Sequence, residues 1–348
     1  MKPMSGNSRS FDVAIVGGGP AGAICALLLA RGGARVTMID RGGKRFGVTE
    51  LVSGRARRMI EERVSGSILQ TIQGVEVFET VSLWNTPDAV TWSAMCNPWG
   101  AGLALDRSAF DETLRKFARE SGVDILWDTE VQGVERARGA WRLALHSHEE
   151  AGELLAKFLI IATGRTGARL VGRNSITASP QVALMAQTNT GQSEPGYTLY
   201  VEAVANGWWY ALPDPRGGWF VGFCTGRDRV KRRGEPLRVF WNRELRRTRL
   251  LAQTLGDTTV DGPIVGRPAG IRSFDKVTGE SWIAVGDAAF APDPLSGKGL
   301  EFGIESAALG ARLLLKEAQN GDLTDYENWI CEYAKQHERS RAFYVTTS

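Results

Sequence analysis

The stretch Phe11-Asp12-Val13-Ala14-Ile15-Val16-Gly17-Gly18-Gly19-Pro20-Ala21-Gly22, continued by Ala23-Ile24-Cys25-Ala26-Leu27-Leu28-Leu29-Ala30, decides the fold. An apolar, β-branched run that meets a glycine cluster and then a second apolar stretch reads as strand, tight turn and helix. Gly17 permits the turn, Gly19 lets the backbone approach a pyrophosphate, and Gly22 lets the helix pack closely on the strand. The free N–H groups at the start of the helix, which opens with Pro20 and Ala21, hold the anion. A second strand over residues 34–39 ends in Asp40, with Arg41 beside it, at the spacing of a carboxylate that accepts ribose hydroxyl hydrogens. Together these elements predict a dinucleotide-binding βαβ unit.

The chain around this unit has 348 residues, 43% hydrophobic and 23% charged, which suffices for one or two folded domains and excludes dominant disorder. The polar amino terminus carries no signal-peptide core and no apolar run spans a bilayer, so a soluble cytoplasmic protein is expected. Its four cysteines are scattered and its histidines number three (His146, His148 and His337). No disulfide framework and no metal site are predicted. The net charge of +3 does not point to nucleic acid. It is uneven, however: residues 227–249 hold ten Arg or Lys against three Asp or Glu, a local +7 that leaves −4 for the rest.

Two further strands narrow the cofactor. Phe158-Leu159-Ile160-Ile161-Ala162-Thr163-Gly164 is an apolar strand ending in Ala-Thr-Gly, and Trp282-Ile283-Ala284-Val285-Gly286-Asp287 runs into Gly-Asp. With the glycine turn, they give the chain a resemblance to the flavin-dependent monooxygenase and halogenase superfamily, of p-hydroxybenzoate-hydroxylase-like fold, over nearly its whole length. The resemblance implies bound FAD, with Asp287 on the ribityl chain. It also implies that Asp293-Pro294-Leu295-Ser296-Gly297-Lys298-Gly299 passes the isoalloxazine edge into a helix over 300–317. A helix start there suits the N1–C2=O edge of reduced flavin, and Gly297 and Gly299 let the backbone come close. Arg107, in Leu105-Asp106-Arg107-Ser108, resembles the arginine that contacts FAD in this superfamily. It opens a helix for which Ser108 and Asp111 predict a capping box. Glu50 matches a family acid or is a solvated loop glutamate.

The fold class that follows is α/β: a Rossmann-like FAD-binding domain with a parallel sheet, an antiparallel-sheet substrate domain and carboxyl-terminal helices. The FAD-binding parts are 1–80, 100–175 and 265–320; the substrate domain is 81–99 and 176–264; 321–348 is a helical segment packed on the outside. The substrate-domain strands are read at 75–84, 197–203, 208–212 and 219–224. No second glycine fingerprint is present, so a nicotinamide (NADPH or NADH) binds transiently, or reduced flavin comes from a partner reductase.

Eleven tryptophans is a high number, and Trp208, Trp209 and Tyr210, with Lys298, are the pocket candidates. Gly207-Trp208-Trp209-Tyr210-Ala211-Leu212-Pro213 is half of a halogenase signature, but the stretch 45–115 lacks the lysine that halogenases use. Asn97-Pro98-Trp99-Gly100, Leu105-Asp106-Arg107 and the 293–299 loop look most like the short flavoproteins that mature lysine ε-oxidase and glycine oxidase. That resemblance implies transfer of oxygen from a flavin C4a-hydroperoxide to an electron-rich aromatic ring, small or protein-borne, such as a tryptophan of a partner protein on the way to tryptophylquinone. Halogenation, small-molecule hydroxylation and reduction of isoprenoid double bonds are the alternatives. Residues 227–249 form either a solvated amphipathic helix behind Pro236, with Leu237, Phe240, Trp241 and Leu245 as its apolar stripe, or a docking site for nicotinamide phosphates or an acidic partner protein.

Overall fold

The computed structural model describes residues 9–43, 47–137, 139–147, 151–178, 180–188, 196–256, 260, 262–317 and 323–345. His148 and residues 1–8 lie outside them. Strand Arg9–Val16 is central in the first sheet, and its last four residues are all buried, as expected of a parallel strand covered on both faces. It pairs in parallel with Val36–Ile39 on one side and Ala151–Ile161 on the other. Asp124–Leu126 and Trp282–Ala284 extend the sheet outward, again in parallel. Helix Pro20–Arg31 makes the crossover between the first two strands and packs on helices Arg107–Glu120 and Gly299–Glu317. The mixed α/β architecture is the one expected.

A second sheet has seven strands, in the order Val265–Pro268, Gln181–Thr188, Trp219–Gly226, Gly207–Pro213, Thr198–Val204, Glu79–Leu83 and Val90–Ser93. The expected antiparallel pairing needs one correction, because Thr198–Val204 runs parallel to Glu79–Leu83. Only strands joined by a tight turn must be antiparallel, and these two come from distant parts of the chain. The run 75–84 is likewise two strands rather than one. Gly74–Val77 pairs with Gly102–Asp106, which also pairs with Thr49–Val52, while Glu79–Leu83 enters the large sheet.

The two faces of the large sheet are covered by different parts of the molecule. One packs Trp209, Ala211, Val221 and Phe223 against Phe240, Trp241 and Leu245 of the helix Leu237–Leu245. The other turns Trp208, Leu212 and Phe220 toward Val77, Ala104, Leu51 and Leu295. Pro236 is the N-cap of the basic helix. Much of the basic excess is consumed internally, since Arg229, Arg243 and Arg247 all converge on the buried Glu244. Burial alone would raise that carboxyl, but the hydrogen bonds from Arg243 and Arg229 hold it below the usual carboxylate range.

The carboxyl-terminal helix, Thr324–Val345, is more than an outer covering. Tyr326 is fully buried and its hydroxyl donates to the carbonyl of Ala284 at 2.6 Å, so the helix begins inside the core. Among the described residues no helix is long and apolar enough to cross a membrane.

Candidate functional site

The parallel register brings the sequence-predicted groups to one edge. Val16 lies opposite both Ile39 and Ile161, and Ile161 lies opposite Ala284. The residues that follow these strand ends, Gly17 to Gly19, Asp40, Ala162 to Gly164 and Gly286 with Asp287, therefore share the carboxyl edge of the sheet, where open α/β folds bind ligands.

The glycines there divide by physical cause. Gly17 has φ +113°, and a Cβ on Gly22 would lie 2.0 Å from the Gly17 carbonyl oxygen, so both positions are fixed by the fold itself. Gly19 and Gly299 differ: a Cβ at either would meet nothing within 4 Å, and neither has a positive φ. Nothing within the protein requires glycine at these two positions. Helix Pro20–Arg31 also has no side-chain cap, its N-cap being Gly19, so its first N–H groups are left for an external acceptor. This is the donor set and clearance that a pyrophosphate needs.

Asp40 joins the turn, its Oδ2 accepting from Gly18 N–H at 2.5 Å and its Oδ1 from Gly42 N–H at 2.8 Å. Arg41, next to it, is exposed. Arg115, which the sequence did not single out, donates to the Gly18 carbonyl at 3.1 Å while its guanidinium lies 4.5 Å from the centre of the Trp127 ring. Gly164 and Gly286 both have positive φ, and Gly286 N–H donates to Ser306 Oγ at 2.9 Å. A Cβ on Gly286 would sit 2.7 Å from that of Ala21, so the first and last strands' turns touch. Asp287 keeps 38% of its side chain open and lies 3.4 Å from Arg165, a second residue the sequence reading missed. Desolvation by the surrounding protein raises the Asp287 carboxyl, only partly opposed by Arg165 and Arg107.

Arg107 is the first residue of its helix, and its N-cap is Asp106, which accepts from Ser108 and Ala109 N–H. The expected Ser108–Asp111 capping box is thus corrected: the strand runs straight into the helix and its last residue does the capping. Asp111 instead accepts from Arg107 Nε at 2.7 Å, and Glu50, in a strand rather than a loop, accepts from the same guanidinium at 2.8 Å. Burial would lower the Arg107 pKa, but Asp111 and Glu50 more than offset it and raise it. Removing this cation would take from the buried Asp111 carboxylate, and from Glu50, the ion pair that each makes with Arg107. Arg107→Met is expected to lose about 3 kcal/mol in urea unfolding, and a loss under about 1 kcal/mol would contradict that role.

Pro294 opens a short 3-10 turn, Gly297 has φ +62°, Lys298 is exposed and Gly299 begins the helix Gly299–Glu317. Leu295 of this loop packs against the buried cluster that holds Trp208, Leu212 and Phe220, as do Tyr210, Leu51 and Val48. Tyr210 fits because Gly222 is its cross-strand partner; a Cβ there would come within 2.1 Å of the ring. Burial raises the Tyr210 phenol well above its usual value. Trp209 does not join this group. Successive strand residues face opposite ways, and Trp209 stacks on Phe223 at 4.4 Å on the helix-covered face. A separate cavity of about 540 Å³, lined by Arg57, Glu76, Phe78 and Trp99 among others, contains none of the predicted cofactor residues.

Comparison with known proteins gives the family. The FAD binding domain family matches residues 10–339. The chain is 26% identical to LodB of Marinomonas mediterranea, described as an FAD-dependent oxidoreductase, across 97% of this chain and 93% of LodB. Its fold is similar to that of CmlS, a flavin-dependent halogenase, with a TM-score of 0.84 at 22% identity over 98% of this chain; it spans 65% of CmlS. It is also similar to QhpG, a peptidyl tryptophan dihydroxylase essential for tryptophylquinone cofactor biogenesis, with a TM-score of 0.77 at 22% identity over 97% of this chain and 75% of QhpG. The chain belongs to the FAD binding domain family and is an FAD-dependent oxidoreductase.

Proposed function

We propose that the chain is a monooxygenase that hydroxylates an electron-rich aromatic ring, with a tryptophan of a partner protein as the favoured substrate. The observation that carries this reading is the apolar layer formed by Trp208, Tyr210, Val48, Leu51 and Leu295 beside the 293–299 loop. Bound FAD supplies the electrons and the activation of O₂. The protein's own residues do the rest. Gly17, Gly19, Pro20, Ala21 and Gly22 receive the pyrophosphate, and Asp40 with Arg41 the adenosine ribose. Asp287 takes the ribityl chain, and Arg107 and Gly164 border the cofactor. Pro294, Gly297, Lys298 and Gly299 line the isoalloxazine edge.

Trp208 and Tyr210 exclude water, which protects activated oxygen from being wasted. An indole is nucleophilic enough to accept oxygen without a protein base, so an apolar wall suffices where a phenol would profit from a base. The electron donor in this reading is transient NADPH or NADH, or reduced flavin from a partner reductase, in the cytoplasm. The 227–249 segment offers an acidic partner those arginines that Glu244 does not occupy. Similarity to QhpG, a peptidyl tryptophan dihydroxylase, supports a protein-borne ring. Similarity to CmlS supports halogenation as the second reading.

The test mixes FAD-loaded, reduced protein with O₂ and a tryptophan-bearing peptide, with and without bromide, and weighs the product. One or two added oxygen atoms, indifferent to bromide, is the expected result. Added bromine would establish the halogenase reading, and added hydrogen alone would establish a reductase; either overturns the proposal.

A further inference from the structure

The 293–299 loop is held from a part of the molecule that the fold does not oblige to touch it. Asp293, 4% exposed, opens the Pro294–Ser296 turn, and every polar group it carries is engaged. Its Oδ1 accepts from Leu295 N–H at 3.0 Å, and its carbonyl accepts from Ser296 Oγ at 2.7 Å. The other two contacts come from the carboxyl-terminal helix. Asp293 N–H donates to His337 Nε2 at 3.0 Å, and Arg341 Nε donates to Asp293 Oδ2 at 2.9 Å. His337 and Arg341 are four residues apart and so share one helix face.

His337 is 7% exposed, and the edge-to-face ring of Phe290 lies 5.5 Å away. Because Nε2 accepts a hydrogen bond, the imidazole must be neutral; a second ring proton would set two donors against each other. The charged groups facing it pull both ways. Asp293 and Glu338 favour protonation, whereas Lys298 and Arg341 oppose it, and burial, the largest influence, keeps the imidazole below its ordinary value.

We propose that His337 and Arg341 are positioning residues that clamp the 293–299 loop for flavin capture, and that the clamp works only while His337 is neutral. This rests on the reading that the loop lies along the isoalloxazine. The sign follows from the depressed value: the clamp is complete above the ordinary imidazole pKa of ~6.5 and is lost as pH falls from there through the lower value of the folded state.

The test is a fluorescence titration of the full-length protein with FAD at steps from about pH 8 down through the imidazole range to the lowest pH at which the protein stays folded. Wild type should bind about fivefold more weakly in acid, the worth of one buried hydrogen bond. His337→Gln should bind as wild type does at the higher pH and lose the acid effect, since an amide oxygen accepts the same N–H at either pH. His337→Leu and Arg341→Met should both bind about fivefold more weakly at the higher pH. The clamp is overturned if wild type shows no acid loss, if His337→Gln loses affinity in acid as wild type does, or if the Leu and Met variants bind as tightly as wild type. Should His337→Leu fail to fold, wild type against His337→Gln decides alone. Gly299→Ala separates the two failures. Unchanged FAD affinity in that variant refutes the placement of the loop, whereas lost affinity there beside unaffected His337 variants refutes only the clamp.

Discussion

Gly22→Ala is expected to lower the unfolding transition by at least about 3 kcal/mol, while Gly19→Ala, three residues earlier in the same turn, is expected to melt as wild type does. On Gly22 the new methyl would lie 2.0 Å from the Gly17 carbonyl oxygen and 3.0 Å from the Ala162 side chain. The first of these is backbone, which no rotamer change moves. Relief would require helix Pro20–Arg31 to lift off the sheet, separating Ile24 and Leu27 from Ala14 and Ile15, all fully buried. Overpacking a core costs about 1–3 kcal/mol even where side chains can yield, and here they cannot, so at least about 3 kcal/mol of a typical 5–15 kcal/mol is at stake. Thermal and urea unfolding of both variants check this. A Gly22→Ala protein that melts like wild type would mean that the strand-to-helix contact is looser than described.

Trp209→Ala is the second large effect, expected to cost about 3–5 kcal/mol. Trp209 is 0% exposed, stacked on Phe223 with planes 7° apart and edge-on to Trp241 at 4.8 Å. Among the described residues its indole N–H has no hydrogen-bond partner, so the loss is one of packing and cavity rather than of a polar contact. The affected layer joins the large sheet to the helix Leu237–Leu245, remote from the 293–299 loop. Trp209→Ala protein that remains folded at low temperature should therefore keep wild-type FAD affinity. A denaturation midpoint within experimental error of wild type, or FAD affinity that falls with stability intact, would place this side chain in the pocket after all.

The sheet-edge half of the candidate site was legible in the sequence because that half depends on local backbone chemistry. Gly17 with its positive φ and Gly22 against the Gly17 carbonyl are demands that the chain writes into residue type, and parallel register then aligns Asp40, Gly164 and Asp287 with them. Less was legible where partners are brought together only by tertiary packing. Arg115 reaches Gly18 across 97 residues and Arg165 reaches Asp287 across the sheet edge, and an isolated arginine in a sequence gives no sign of either. The same holds for His337 and Arg341, which look like ordinary surface positions of an outer helix until Asp293 is seen beneath them. Strand alternation could have told Trp208 and Tyr210 from Trp209, since period two forbids three consecutive residues on one wall. Which face looks toward the loop is set by the basic helix covering the other one.

The most direct test of the account is the FAD affinity of Gly19→Ala beside that of wild type, each measured on protein with the same melting temperature. The fold leaves open space where that methyl would go, so only a ligand's pyrophosphate can object to it. The account predicts saturable binding by wild type and at least about tenfold weaker binding by the variant, a difference of about 1.4 kcal/mol. Equal affinity in two equally stable proteins would contradict the placement of the cofactor on this turn.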